Sequence, residues 1–171
     1  MTMTTTTRTD AQLTAVAVAL DAQRAHVLGA IDDLTEDQLR RPMLPSGWNC
    51  LDLLHHLTRD VEHFWFRAVI AGEPEAIEAS LTGDDGWHPD ASRSAADIVA
   101  DYRQRIELSD ATLAGRSWGD APAWWPPFFG DYRLDTVGEV LLHVLTETAC
   151  HAGHLDATRE LIDGRQWLTF D

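Results

Sequence analysis

Glu147 and His151 stand four residues apart in the stretch TVGEVLLHVLTETACHAGHLDATRELIDG, Thr136 to Gly164. In a helix that spacing turns both side chains to one face, where a carboxylate and an imidazole can converge on one ion. At about 100° per residue, His143, Glu147, His151, His154 and Thr158 share a stripe roughly 80° wide. One carboxylate and one imidazole make half of a divalent-metal site, so a third ligand must come from another helix. His55 and His56 are the pair placed mid-helix on a segment expected to lie beside the fourth helix. The helical wheel does not choose between them, although periodicity slightly favours His55. Two neutral imidazoles and a carboxylate would leave open coordination positions, the condition for a catalytic rather than a structural metal.

Competing chemistries lack parts. The chain has no HExxH motif, and Asp60-x-x-His63 is only a weak echo of the paired Glu-x-x-His repeats of di-iron bundles. Cys150 adjoins His151 in sequence but faces about 100° away on the wheel, which argues against thiol nucleophilic catalysis. There is no glycine-rich phosphate loop. His26, His63, His88 and His143 read as structural.

The elements that must position the stripe can be read from end signals and periodicity. Thr136-x-x-Glu139 has the capping-box spacing and Gly164 suits a left-handed C-terminal cap, which together bound a helix roughly 40 Å long. Val137, Leu141, Val144, Thr148, Leu155 and Ile162 form its core side. A first helix is expected over residues 10–34, with Asp10 as N-cap and a short extra turn after Thr35 through about Arg41. Pro42, Pro45 and Gly47 make a connecting loop, and Asn49 caps a second helix over 50–71, closed by Gly72 and Pro74. Residues 72–91 read as a polar surface connection. Ser92 or Ser94 then caps a third helix ending near Ala114. The loop RSWGDAPAWWPPFFGDYRLD carries Trp118, Trp124, Trp125, Phe128 and Phe129, aromatics to be buried against the bundle or to line a cleft. Trp167 and Phe170 are expected to fold back onto the domain. Residues 1–9 read as a disordered tail and residues 10–171 as one all-α domain, a four-helix bundle with up-down-up-down order and long connections.

A formal net charge of −15 excludes phosphate-backbone binding, which needs a basic surface, so nucleic acid is not an expected partner. No apolar run reaches the length of a membrane span and the N-terminus has no apolar signal region, so the cytoplasm is the expected location. Two cysteines, Cys50 and Cys150, form no CxxC pattern and imply a reducing compartment. No coiled-coil heptad demands an oligomer; the expectation is a monomer or homodimer.

The segments RRPMLPSGWNCLDLLHHLTRDVEHFWF and VLLHVLTETACHAGHLDATRELIDG resemble the DinB superfamily. They are most similar to its actinobacterial branch of mycothiol S-transferases, itself similar to mycothiol-dependent maleylpyruvate isomerases. The resemblance implies a four-helix bundle binding one divalent metal, zinc or alternatively nickel. Its pattern of a His followed by Leu on the second helix selects His56, against the slight preference of the wheel, and Glu147 and His151 match the other two ligands. His154 matches a feature of the branch and is expected as a hydrogen-bond partner or proton acceptor. By the same resemblance the cosubstrate is mycothiol, activated as a metal thiolate that attacks an electrophile held under the Trp118–Phe129 loop. Two features depart from the pattern: Cys150 replaces a basic residue, and the Pro-Pro-Phe-Phe loop has no counterpart. The alternatives are a metal-binding stress protein or metal-dependent hydrolase without thiol transfer, and an interaction scaffold.

Overall fold

The computed structural model describes residues 4–82 and 86–167. Every regular element among them is helical. In chain order these are α1 (Thr4–Ile31), α2 (Glu36–Leu39), α3 (Cys50–His56), a π-helical segment (Leu57–Ile70) continuous with α3, α4 (Pro74–Leu81), α5 (Ala95–Leu113), a 3-10 turn (Pro127–Phe129) and α6 (Val137–Asp163). The long helices pack side by side, α1 against α6 and the π segment against α4, α5 and α6.

Local chemistry accounts for the ends. Thr35, Asn49 and Thr136 each make a reciprocal capping box with the residue three positions on, Gln38, Asp52 and Glu139. Ser94, rather than Ser92, caps α5 by accepting from the Asp97 amide. Gly164 closes α6 at φ 80°, a conformation that an L side chain resists. The first N–H groups of α6 donate to the 116–135 loop, Val137 to Asp120 O and Gly138 to Trp118 O. Gly138 also lets the Trp118 ring rest on the helix backbone, because a Cβ there would lie 2.2 Å from the ring. The loop thereby holds the N-terminal end of the helix that carries Glu147 and His151.

Leu20, Val27, Leu54, Leu57, Phe66, Leu141, Val144 and Leu155 meet in the core with almost no exposure. Each such side chain contributes about 1.5–3 kcal/mol on burial. The core side expected for α6 is buried as read except Ile162, which is partly exposed.

Three expectations change. α1 begins at Thr4, so Asp10 lies inside the helix instead of capping it, and the helix includes residues 4–9. No Pro or Gly separates Thr4 from Asp10, and adding a residue to an existing helix is far cheaper than nucleating one. Residues 1–3 lie outside the described residues, as does Phe170. Within the 72–91 connection, Pro74 sits in the first turn of α4, where its missing N–H costs nothing. The second helix is not α-helical throughout. Thr58 Oγ1 donates to Leu54 O, the acceptor its own amide would take in an α-helix, and the wider winding begins there. It ends with Ala71 N donating to Phe66 O, five residues back.

Candidate metal centre

His56 is the last residue of α3, at the point where the helix widens. One turn on, Asp60 Oδ2 lies 2.9 Å from His56 Nδ1. A carboxylate at Nδ1 keeps the proton on that nitrogen and leaves the Nε2 lone pair for a ligand. The Trp87 ring stacks on His56 at 4.2 Å and 2°. Just before it, Gly86 lies so close to Asp60 that a Cβ would fall 2.1 Å from Oδ2. The 86–87 turn therefore covers both the ring and the carboxylate that orients it, and a side chain at position 86 would displace that carboxylate.

From α6, His151 Nε2 lies 3.5 Å from Glu147 Oε2. The His151 ring meets His56 edge-on, with centroids 5.0 Å apart. Ligand atoms of His56, Glu147 and His151 all lie within 4.8 Å of one another. On the other side of His151, its Nδ1 is 3.4 Å from Nδ1 of the exposed His154, whose ring neighbours Trp48. Burial above all, then His56, holds His151 down to about 4, with Glu147 opposing. His151 is thus neutral at neutral pH, with a lone pair to offer.

The donor set fits a divalent cation. Two imidazole nitrogens and a carboxylate oxygen converge from two helices, and the imidazole of His56 is backed by an acidic partner, as metal-binding histidines commonly are.

The other histidines fall elsewhere. His55, slightly favoured by the wheel, is buried, and its Nδ1 has no partner among the described residues. His55 sits on the buried line that the wheel picks out, whereas His56, at its margin, is the one whose ligand atom lies near those of Glu147 and His151. His143 packs edge-on against Trp65 at 4.5 Å, and Thr158 is buried. His26 pairs with Asp156 and stacks on Trp167, which folds back as expected. Gly29 leaves room for that Trp167 ring. Burial raises the Cys50 thiol to about 11, while Cys150 is exposed.

Two contributors were not foreseen. Asp60 had a usable signal, the i, i+4 spacing from His56, but was weighed only as a partner of His63. Trp87 had none, because a contact between loop and helix leaves no periodic trace.

Beside the cluster lies a cleft of about 260 Å³ between the π segment, α4 and the 3-10 turn. Arg59, Asp60, His63 and Ser80 supply polar lining, and Phe64, Trp65, Phe128 and Phe129 supply aromatic walls. The expected aromatic loop thus contributes its Phe-Phe end, with Phe129 stacked on Trp65 at 5.7 Å. Asp60 belongs both to the cleft and to the His56 hydrogen bond.

No helix among the described residues is long and apolar enough to cross a membrane. A model of the mycothiol S-transferase family matches residues 15–164. Neither a curated protein nor a solved structure matches the chain.

Proposed function

The chain belongs to the mycothiol S-transferase family, and from that premise we propose a metal-dependent thiol transferase in which His56, Glu147 and His151 hold one divalent cation, zinc or alternatively nickel. The observation that carries this reading is the convergence of their ligand atoms within 4.8 Å. A cation bound there would supply the charge that favours the thiolate form of a small thiol near neutral pH.

The chain's own residues have distinct tasks. Asp60 fixes the His56 ring through Nδ1. His154 touches His151 on one side and solvent on the other, so it can steady that ring and pass the thiol proton outward. Phe128 and Phe129 wall the cleft that would receive the electrophile. Mycothiol is the thiol that the family supplies to this reading, and a reducing cytoplasm is the compartment it requires.

The test begins with metal analysis and titration of untagged protein. Uptake of one divalent ion per chain, lost in Glu147→Ala, is expected; no uptake refutes the metal assignment. Conjugation of mycothiol to a reporter electrophile should then depend on the metal and disappear in Glu147→Ala. Metal uptake without conjugation would instead favour a binding protein or hydrolase.

A further inference from the structure

His63 lines the cleft, and its Nδ1 lies 3.0 Å from Arg105 Nη1. A guanidinium only donates, so His63 Nδ1 must accept and the ring proton must sit on Nε2. Nε2 has no hydrogen bond among the described residues. Burial first, and then Arg105, Arg67 and Arg59, hold His63 down to about 4, so the ring stays neutral with a fixed tautomer near neutral pH. The cleft therefore combines aromatic walls with a fixed N–H donor at His63, beside the polar side chains of Arg59, Asp60 and Ser80.

Shape narrows what could enter. Phe64 and Phe128 face each other at 6.2 Å and 30°, and α4 contributes the small Ala76 and Ala79. A cavity of about 150 Å³ accepts benzene; about 260 Å³ leaves room for a second ring or a ring with a substituent. Phe128 is 54% exposed although it is a large apolar side chain, as expected of a wall that a ligand completes.

We infer that this cleft binds a flat apolar molecule carrying one carbonyl or equally strong acceptor, and that His63 Nε2–H orients it. The inference rests on the thiol-transferase reading for one point only, that this ligand is the electrophile. Seven residues of helix separate His63 from His56, on the order of 10 Å along the axis. A two-ring ligand anchored at His63 spans most of that distance and brings its far edge toward Asp60. His63 is thus a specificity-determining residue: a ligand without an acceptor leaves its N–H unpaired in a half-buried site.

The test measures binding of 2-acetylnaphthalene and 2-ethylnaphthalene to the full chain by titration calorimetry, with no thiol present. The ratio of ketone to hydrocarbon affinity should fall about tenfold in His63→Phe, the worth of one hydrogen bond. His63→Gln, which keeps an N–H donor, should retain most of the ratio. Phe128→Ala should weaken both ligands several-fold and leave the ratio unchanged. If His63→Phe does not fold, His63→Gln and Phe128→Ala still decide. An unchanged ratio in His63→Phe, a lost ratio in His63→Gln, or indifference of both ligands to Phe128→Ala overturns the inference. Because neither thiol nor turnover is involved, failure here is distinct from failure of metal uptake or conjugation.

Discussion

Two polar clusters share the second long helix. At Glu62 a buried carboxylate receives Arg24 of α1 in a two-pronged bond, Nε to Oε1 and Nη2 to Oε2, both 2.7 Å. Arg24 Nη1 also donates to Asp21 and Asp110 at the edge of the core. Six residues earlier, His56 turns toward Glu147 and His151, and there three lone-pair donors face one another. In the first cluster the Arg24–Glu62 pair is buried and matched in charge, with Asp21 and Asp110 at its exposed edge. The second is partly exposed, and its two imidazoles and carboxylate turn their ligand atoms toward one another. Burial with matched charge signals a structural pair; imidazole and carboxylate ligand atoms converging beside solvent are the arrangement a cation site requires.

Substitutions can break this contrast. Glu62→Ala should be the most damaging to the fold, because it leaves Arg24 buried without its partner, a loss of about 3–5 kcal/mol. Urea denaturation would show it; a loss below about 1 kcal/mol would mean that the pair is not confined as described. Glu147→Ala should behave in the opposite way. Metal affinity should fall on the order of 100-fold or more, while the unfolding midpoint of metal-free protein barely moves, since Glu147 is 39% exposed. Asp60→Asn sharpens the comparison, because it keeps the shape but removes the charge behind His56. Its expected effect is about 10–100-fold in metal affinity, read by competition with a chelating dye. Equal affinity in both proteins would show that Asp60 does not orient His56.

The smallest effect concerns acid. His63 is held down to about 4 in the fold, against an ordinary value of 6.5. As pH falls from about 6.5 toward 4, the unfolded chain takes up the proton first, so stability declines through that window. His63→Gln should make the decline shallower, as measured by thermal unfolding across the same range. An unchanged slope would place the acid sensitivity in the other depressed histidines, His55, His143 and His151.

The helices could be read from the sequence wherever an end signal was strong. Thr35, Asn49, Thr136 and Gly164 mark their boundaries because capping is chemistry between neighbours in the chain. α4 was hidden, although Pro74 is a good first-turn residue, because Gly, Asp and Pro crowd the surrounding stretch. Glu147 and His151 were legible from spacing alone. His56 was not: adjacent histidines differ by only about 100° on a wheel, and family resemblance rather than periodicity selected it. Asp60 and Trp87 show the two ways a contributor escapes, one by having a more obvious partner nearby and the other by arriving from a distant loop.

The wide winding that starts at Thr58 puts the second helix into two phases. Before it, His56 addresses α6; within it, Glu62 addresses α1 and His63 addresses α5. A π-helical stretch is equivalent to an α-helix that has absorbed an extra residue. Deleting one residue between Thr58 and Val61 would therefore tighten one turn of this 14-residue stretch while turning everything downstream by about 100° relative to His56. The shortened helix would be the more regular one. It would nonetheless lose either the Arg24 pairing or the His56 alignment, since one uninterrupted phase cannot serve both.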